Sequence, residues 1–133
     1  MDGELWRFYS VKRINGVFFI SREIRAGKLF FYEANMKFYK STAWKRKREK
    51  VLRRDEYLCR ECRRYGKTVP ATTVHHIYPA EQYPQWRLES WNLVSLCTAC
   101  ANAMHDRTTG ELTELGRDWQ RRISPPALRI GKN

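Results

Sequence analysis

The stretch VHHIYP, residues 74–79, decides the fold, read together with WNLVSLCTACANAMHD at 91–106. PATTVHH at 70–76 is β-branched enough for a short strand that ends on two adjacent histidines. IYPAEQYPQWRLESW then carries two prolines and several polar residues, which marks a loop, and NLVSL supplies a return strand. After a Cys-x-x-Cys pair, ANAMHD reads as the start of a helix. The expected order is strand, loop, strand, helix. Side chains alternate along a strand, so His75 and His76 serve one site only if the strand finishes in a bend, which Ile77-Tyr78-Pro79 provides.

Working outward, Cys59 and Cys62 form CREC, Cys97 and Cys100 form CTAC, and 34 residues lie between the pairs. The start MDGELWRFYS has two acids and no apolar run resembling a signal-peptide core, and no window approaches a membrane span. A reducing cytoplasm is therefore the expected location. There, two such pairs point to four thiolates around a structural tetrahedral Zn²⁺ rather than to disulfides. The hairpin with its histidines is the insertion between the two knuckles.

The chain has 133 residues, 42% hydrophobic and 14% aromatic, enough for one folded domain with frayed ends. Lysine and arginine total 26 against 14 acids, a formal net charge of +12, which attracts polyanions. The cations cluster: KRKREKVLRR at 45–54 holds seven of them and one acid. This segment reads as a helix capped by Ser41, with Trp44, Val51 and Leu52 as a narrow apolar stripe. Lys45, Arg46, Lys47, Arg48, Lys50, Arg53 and Arg54 cover the rest and are candidates for contacts to a DNA backbone, which position DNA without reading sequence.

The flanks carry less chemistry. Residues 1–36 contain the apolar-aromatic runs LWRFYSVKRI and VFFISREI joined at Asn15-Gly16, and a second turn at Ala26-Gly27 precedes KLFFYE; a small antiparallel meander is expected. TTGELTELGRDWQRRI predicts a turn and a short amphipathic helix with Leu112, Leu115 and Trp119 in the core, and 124–133 is a tail. Trp86 and Trp91 are expected to pack against the adjacent helix.

Residues about 38 to 122 resemble the HNH endonuclease family with its ββα-metal (His-Me finger) fold, specifically the small phage-encoded type in which a segment like FYKSTAWKRKREKVLRRDEYLCREC precedes the hairpin. Five separated features carry the resemblance: the basic helix, both cysteine pairs, the histidine pair, Asn92 and His105. It implies an α+β chain with a ββα-metal core at 37–123, stabilised by a four-cysteine zinc site and flanked by the meander and helices. It implies that His76 is the catalytic histidine, that His75 is a metal ligand where the family often has Asp, and that Asn92 braces the loop serving the base. In relatives such as the colicin nucleases the last helix offers ligands nine and thirteen residues after the motif asparagine; here these positions are Ala101 and His105, expected to share one helix face.

The chemistry matches those residue types. A neutral imidazole, pKa near ~6.5, can take a proton from water at neutral pH. A divalent cation (Mg²⁺, Mn²⁺, Ni²⁺ or Zn²⁺) beside it stabilises charge on the phosphate and the departing oxygen. Ala101 has no donor atom, so reduced metal affinity and cleavage are expected. Two explanations of it stand, a substitution made to disarm the enzyme and a natural site completed by water. The function expected is a metal-dependent DNA endonuclease, in the host cytoplasm if phage-encoded, beside the phage packaging (terminase) proteins, and monomeric or weakly dimeric. The alternative is a zinc-stabilised DNA-binding module without catalysis; a third class is a protein adaptor using the meander.

Overall fold

Strands β1 (Ser10–Ile14) and β2 (Val17–Ser21) pair antiparallel with Ile14 opposite Val17. The antiparallel pairing is the one expected for the first two runs of the meander. The computed structural model describes residues 10–14, 17–21 and 35–126; the two turns of the expected meander, its KLFFYE run and residues 127–133 lie outside them. The chain divides into two units, Met1–Ser41 and Thr42–Asn133. The first contains the hairpin and a short helix α1 over residues 35–40. Ser41 donates its hydroxyl backwards to the Phe38 carbonyl at 2.6 Å, so the residue expected to start the next helix also closes this one.

The second unit begins with the basic helix, α2 (Thr42–Arg54), whose buried residues are Trp44, Val51 and Leu52, the predicted stripe. A turn through Glu56 and Tyr57, both at positive φ, reverses the chain into α3 (Arg60–Arg64), which carries the first cysteine knuckle. Strands β3 (Thr73–His76) and β4 (Leu93–Leu96) pair antiparallel, His75 opposite Val94 and His76 opposite Leu93. The second knuckle opens α4 (Thr98–Ala103), and α5 (Glu114–Arg122) closes the unit, its first turn capped by the Thr113 side chain. The strand, loop, strand, helix order is as expected. Among the described residues no helix is long and apolar enough to cross a membrane.

The core lies where these elements meet: Cys59, Ile77, Val94, Leu96, Cys97, Ala101, Met104 and Trp119 form one buried cluster. Gly116 lets α5 come close, because a Cβ there would stand 2.5 Å from the Met104 carbonyl oxygen and from a Leu112 methyl. Glu61 of α3, buried, accepts the indole N–H of Trp119 at 2.8 Å and an Arg64 N–H at 2.9 Å, which ties α3 to α5.

The other tie is ionic. Asp55 is fully buried; its carboxylate accepts from Arg54 through both oxygens at 2.9 Å, from Arg60 at 2.9 Å and from the Ser95 amide at 3.0 Å. Arg54 also donates to the Ser90 and Leu93 carbonyls, each at 2.7 Å. Arg54, expected on the DNA-facing surface, is exposed and is also a brace between α2 and the start of β4. Its planar fork suits several fixed acceptors at once. Lys47 donates to the Ser90 hydroxyl at 3.1 Å and Arg48 to the Thr72 carbonyl at 3.4 Å, so the inward edge of the helix spends part of its charge on the fold.

Burial alone would raise the Asp55 carboxyl, but hydrogen bonds from Arg54 and Ser95 outweigh it and hold the group below its ordinary 3.8. A carboxyl lowered by folding contributes stability that is complete above its unfolded pKa and is lost as pH falls through the folded value. We expect urea-unfolding stability to decline below about pH 4. Asp55→Ala should cost about 1–3 kcal/mol at neutral pH, because it strands the buried Ser95 amide and releases two partly exposed guanidiniums, and should flatten that acid decline. An Asp55→Ala chain with intact-protein stability at pH 7 would show that this carboxylate is not the tie.

Candidate active site and metal centre

The four cysteine sulfurs lie within 4.8 Å of one another, and none forms a disulfide. Cys62 Sγ stands 3.9 Å from Cys97 Sγ and 3.6 Å from Cys100 Sγ. A tetrahedral ion with 2.3 Å bonds to sulfur would separate its ligands by about 3.8 Å, so the cage fits zinc. Crowding the thiols drives their titrations apart. Burial pushes Cys62 and Cys100 up; it pushes Cys97 up as well, but hydrogen bonds from its three neighbours outweigh that and bring Cys97 down. Four thiolates can share the cage only around a cation.

The hairpin loop is held by one side chain. Asn92, fully buried just before β4, donates to the Tyr78 carbonyl at 3.0 Å and to the Trp86 carbonyl at 3.1 Å, and accepts from the Tyr78 amide at 2.7 Å. A short polar side chain with donor and acceptor on one group can clamp both ends of a loop in this way. The aromatic residues between them fill the loop's interior. Tyr83 and Trp86 stack at 4.9 Å, and Tyr78 and Trp91 meet Trp86 edge-on at 5.4 and 5.3 Å. Trp86 and Trp91 therefore pack on each other and on Tyr78 within the loop. The tie to α5 comes from Tyr78, whose hydroxyl donates to the Gln120 carbonyl at 3.0 Å, and from Gln120, which donates to the Ile77 carbonyl at 3.0 Å.

The clamp reaches His76. Its Nε2 lies 2.9 Å from the carbonyl of Arg87, next to the clamped Trp86. A carbonyl only accepts, so Nε2 carries the hydrogen and Nδ1 is the basic nitrogen of the neutral ring. Burial pushes this imidazole below its ordinary 6.5, against a smaller upward pull from the Arg87 bond, and keeps it neutral at pH 7. The indole of Trp44 lies flat on the same ring, centroids 5.0 Å apart and planes 19° apart.

His75 meets His105, with ring centroids 5.4 Å apart. Two imidazoles on one ion with bonds near 2.1 Å would hold their centroids about 5 Å apart, so this pair suits a divalent metal. His105 Nδ1 lies 3.3 Å from the Gly110 carbonyl and must be the donor, which directs Nε2 to ligation in the pattern usual for metal-bound histidine. His105 does not sit on the helix. Helix α4 ends at Ala103, and His105 forms a bridge with Leu112 across a turn closed by Gly110 at φ +76°. The expected stacking of positions 101 and 105 on one helix face therefore gives way to a histidine presented by a turn. Ala101, 6% exposed, belongs to the apolar cluster with Val94 and Met104.

Sequence reasoning singled out His75, His76, Asn92, His105 and the cysteines, and these are the residues the fold assembles. It missed Arg87, because a backbone carbonyl leaves no trace in residue type, and it read Trp44 as core only.

Comparison with known proteins agrees with this geometry. The family model described as HNH endonuclease matches residues 59–107. The crystal structure of an HNH endonuclease with manganese ion from the deep-sea thermophilic bacteriophage GVE2 is 37% identical, covers 61% of this chain and 88% of its own, and superposes with a TM-score of 0.55. No curated protein matches. With both cysteine knuckles, the histidine hairpin and the bracing asparagine inside the matched region, the chain belongs to the HNH endonuclease family.

Proposed function

We propose that this protein is a metal-dependent DNA endonuclease in which His76 is the general base. The observation that carries the reading is the chain of bonds from Asn92 through the clamped loop to the Arg87 carbonyl and His76, which leaves a neutral ring with Nδ1 as its basic atom. His76 Nδ1 takes a proton from water, the resulting hydroxide attacks phosphorus, the bond from phosphorus to the 3′ oxygen breaks, and that oxygen takes a proton from solvent, leaving 5′-phosphate and 3′-hydroxyl ends. Asn92 is a positioning residue. His75 and His105 would hold a divalent cation (Mg²⁺, Mn²⁺, Ni²⁺ or Zn²⁺), which supplies Lewis-acid stabilisation of the phosphate and the departing oxygen. Lys45, Arg46, Lys50 and Arg53 are exposed on α2 and would contact the phosphate backbone, with Lys47 and Arg48 at its inner edge. The phage origin of the similar enzyme supports a role in phage DNA processing.

Plasmid nicking with Mg²⁺, Mn²⁺ or Ni²⁺ tests the reading. His76→Ala should lower the rate by about 10²–10⁴-fold, the usual contribution of a general base, without preventing DNA binding. An intact chain that binds DNA and never cuts it would establish the alternative, a zinc-stabilised binding module; the buried methyl of Ala101 in place of a ligand is the observation on that side.

Position 101 has its own test. Ala101→His should tighten Mn²⁺ or Ni²⁺ binding in calorimetry and raise cleavage most at low metal concentration, since nitrogen ligands favour these ions over Mg²⁺. The double variant with His76→Ala should keep the metal and lose the cleavage. Unchanged affinity would place position 101 with the core alone.

For the cysteine cage we expect close to one tightly held zinc per chain by elemental analysis, and loss of most of the folded signal in Cys62→Ser or after chelation, because binding energy in such sites is folding energy. A chain that stays folded after complete zinc removal rejects the structural role.

A further inference from the structure

We infer that Trp44 is a positioning residue for the nuclease reaction, setting the plane of the His76 ring by stacking on it. The inference rests on the reading of His76 as the base. Histidine χ2 is broad and only weakly held by intrinsic torsion. The bond from Nε2 to Arg87 acts on one ring atom, and Nε2 lies closer to the Cβ–Cγ axis than Nδ1 does. Rotation about χ2 therefore moves Nδ1, the atom that must reach water, more than it strains the Arg87 bond. A contact with the flat of the ring restrains the plane directly.

Trp44 provides it. Its ring lies 5.0 Å from that of His76 with 19° between planes, and the two residues are 6% and 7% exposed. Any turn of χ2 drives an imidazole edge into the indole face, so stack and hydrogen bond together leave Nδ1 one direction. The indole is itself anchored, because Trp44 lies on α2, which is tied through Arg54 and Asp55 to β4, the strand paired with His76. Aromatic stacking of this kind is an orienting contact as well as an apolar one, and misorientation of a reacting group can lower rates by roughly a hundredfold.

The zinc-loaded chain and its Trp44→Leu, Trp44→Met and Trp44→Phe variants test this, with zinc content and circular dichroism to identify folded proteins. Leu and Met fill apolar space without a flat face, whereas Phe keeps one. In the intact protein the carbon-bound ring protons of His76 should show an upfield ring-current shift by NMR, retained in Trp44→Phe and lost in the aliphatic variants. The aliphatic variants should lose roughly tenfold to a hundredfold in kcat with KM changed less than about threefold, and Trp44→Phe should recover most of the loss. Unchanged kcat in either folded aliphatic variant, a change confined to KM, or absence of the ring-current shift in the intact protein overturns the inference. If Leu and Met both fail to fold, the ring-current shift and the kcat of Trp44→Phe decide. An intact chain that cuts no DNA overturns the nuclease reading and this inference with it, whereas an active chain indifferent to Trp44 overturns only this one.

Discussion

Four sulfurs within 4.8 Å of one another join two knuckles that the chain separates by 34 residues, and everything inserted between them inherits its position from that closure. Strands of four residues, paired among the described residues with each other, are too short to be stable alone in water. Here the hairpin is shut in from both ends: α3 enters it from the first knuckle and α4 leaves it from the second. The closure also places Cys59 and Cys97 in the same buried cluster as Val94 and Leu96, so the metal cage and the apolar core share side chains. The histidines at the end of β3 are fixed because the strand that bears them has nowhere else to go.

Side-chain chemistry declared much of this in advance. Cys-x-x-Cys pairs, a histidine pair at a strand end and an asparagine before the return strand are residue types with few alternative uses, and their spacing placed them in one site. What stayed hidden depends on the backbone or on partners distant in sequence. The Arg87 carbonyl that orients His76 is such a case, and so is the stack of Trp44 on a ring 32 positions away, which at the level of pattern is one more apolar residue in a helical stripe. Charge runs hide a second use for the same reason. Arg54 belongs to the basic run by composition, and it also donates to the buried Asp55 beside it and to two carbonyls across the unit. Helix ends are equally hard to read. Counting four residues from Ala101 to His105 assumed a helix that the turn closed by Gly110 cuts short.

His76 is buried between the Trp44 indole and the Arg87 carbonyl, whereas His75 and His105 face each other with their backbones set by a strand and a turn. These environments suit different work. A base must be neutral and must have its lone pair aimed, which burial, a fixed tautomer and a stacked plane supply. Metal ligands must converge from separate elements at a fixed spacing, which β3 and the 105–112 turn supply. Adjacent residues can take both parts because the strand ends between them and the loop: His76 is turned toward the carbonyl of Arg87, and His75 toward the turn that follows α4.

On the proposed reading, helix α2 would join these requirements to the substrate. Its inward edge carries Trp44 to the face of His76 and Arg54 to the carbonyls before and within β4, while Lys45 and Arg46, the next residues after Trp44, point to solvent. A phosphate backbone gripped by those two cations would be referenced to the same rigid element that sets the imidazole plane. Rigidity matters more here than the strength of any one contact, since exposed cations add affinity without direction, whereas a fixed offset between grip and base determines which phosphate meets Nδ1. A helix tethered at its C-terminal end by a buried ion pair and at its N-terminal end by a ring stack keeps that offset constant.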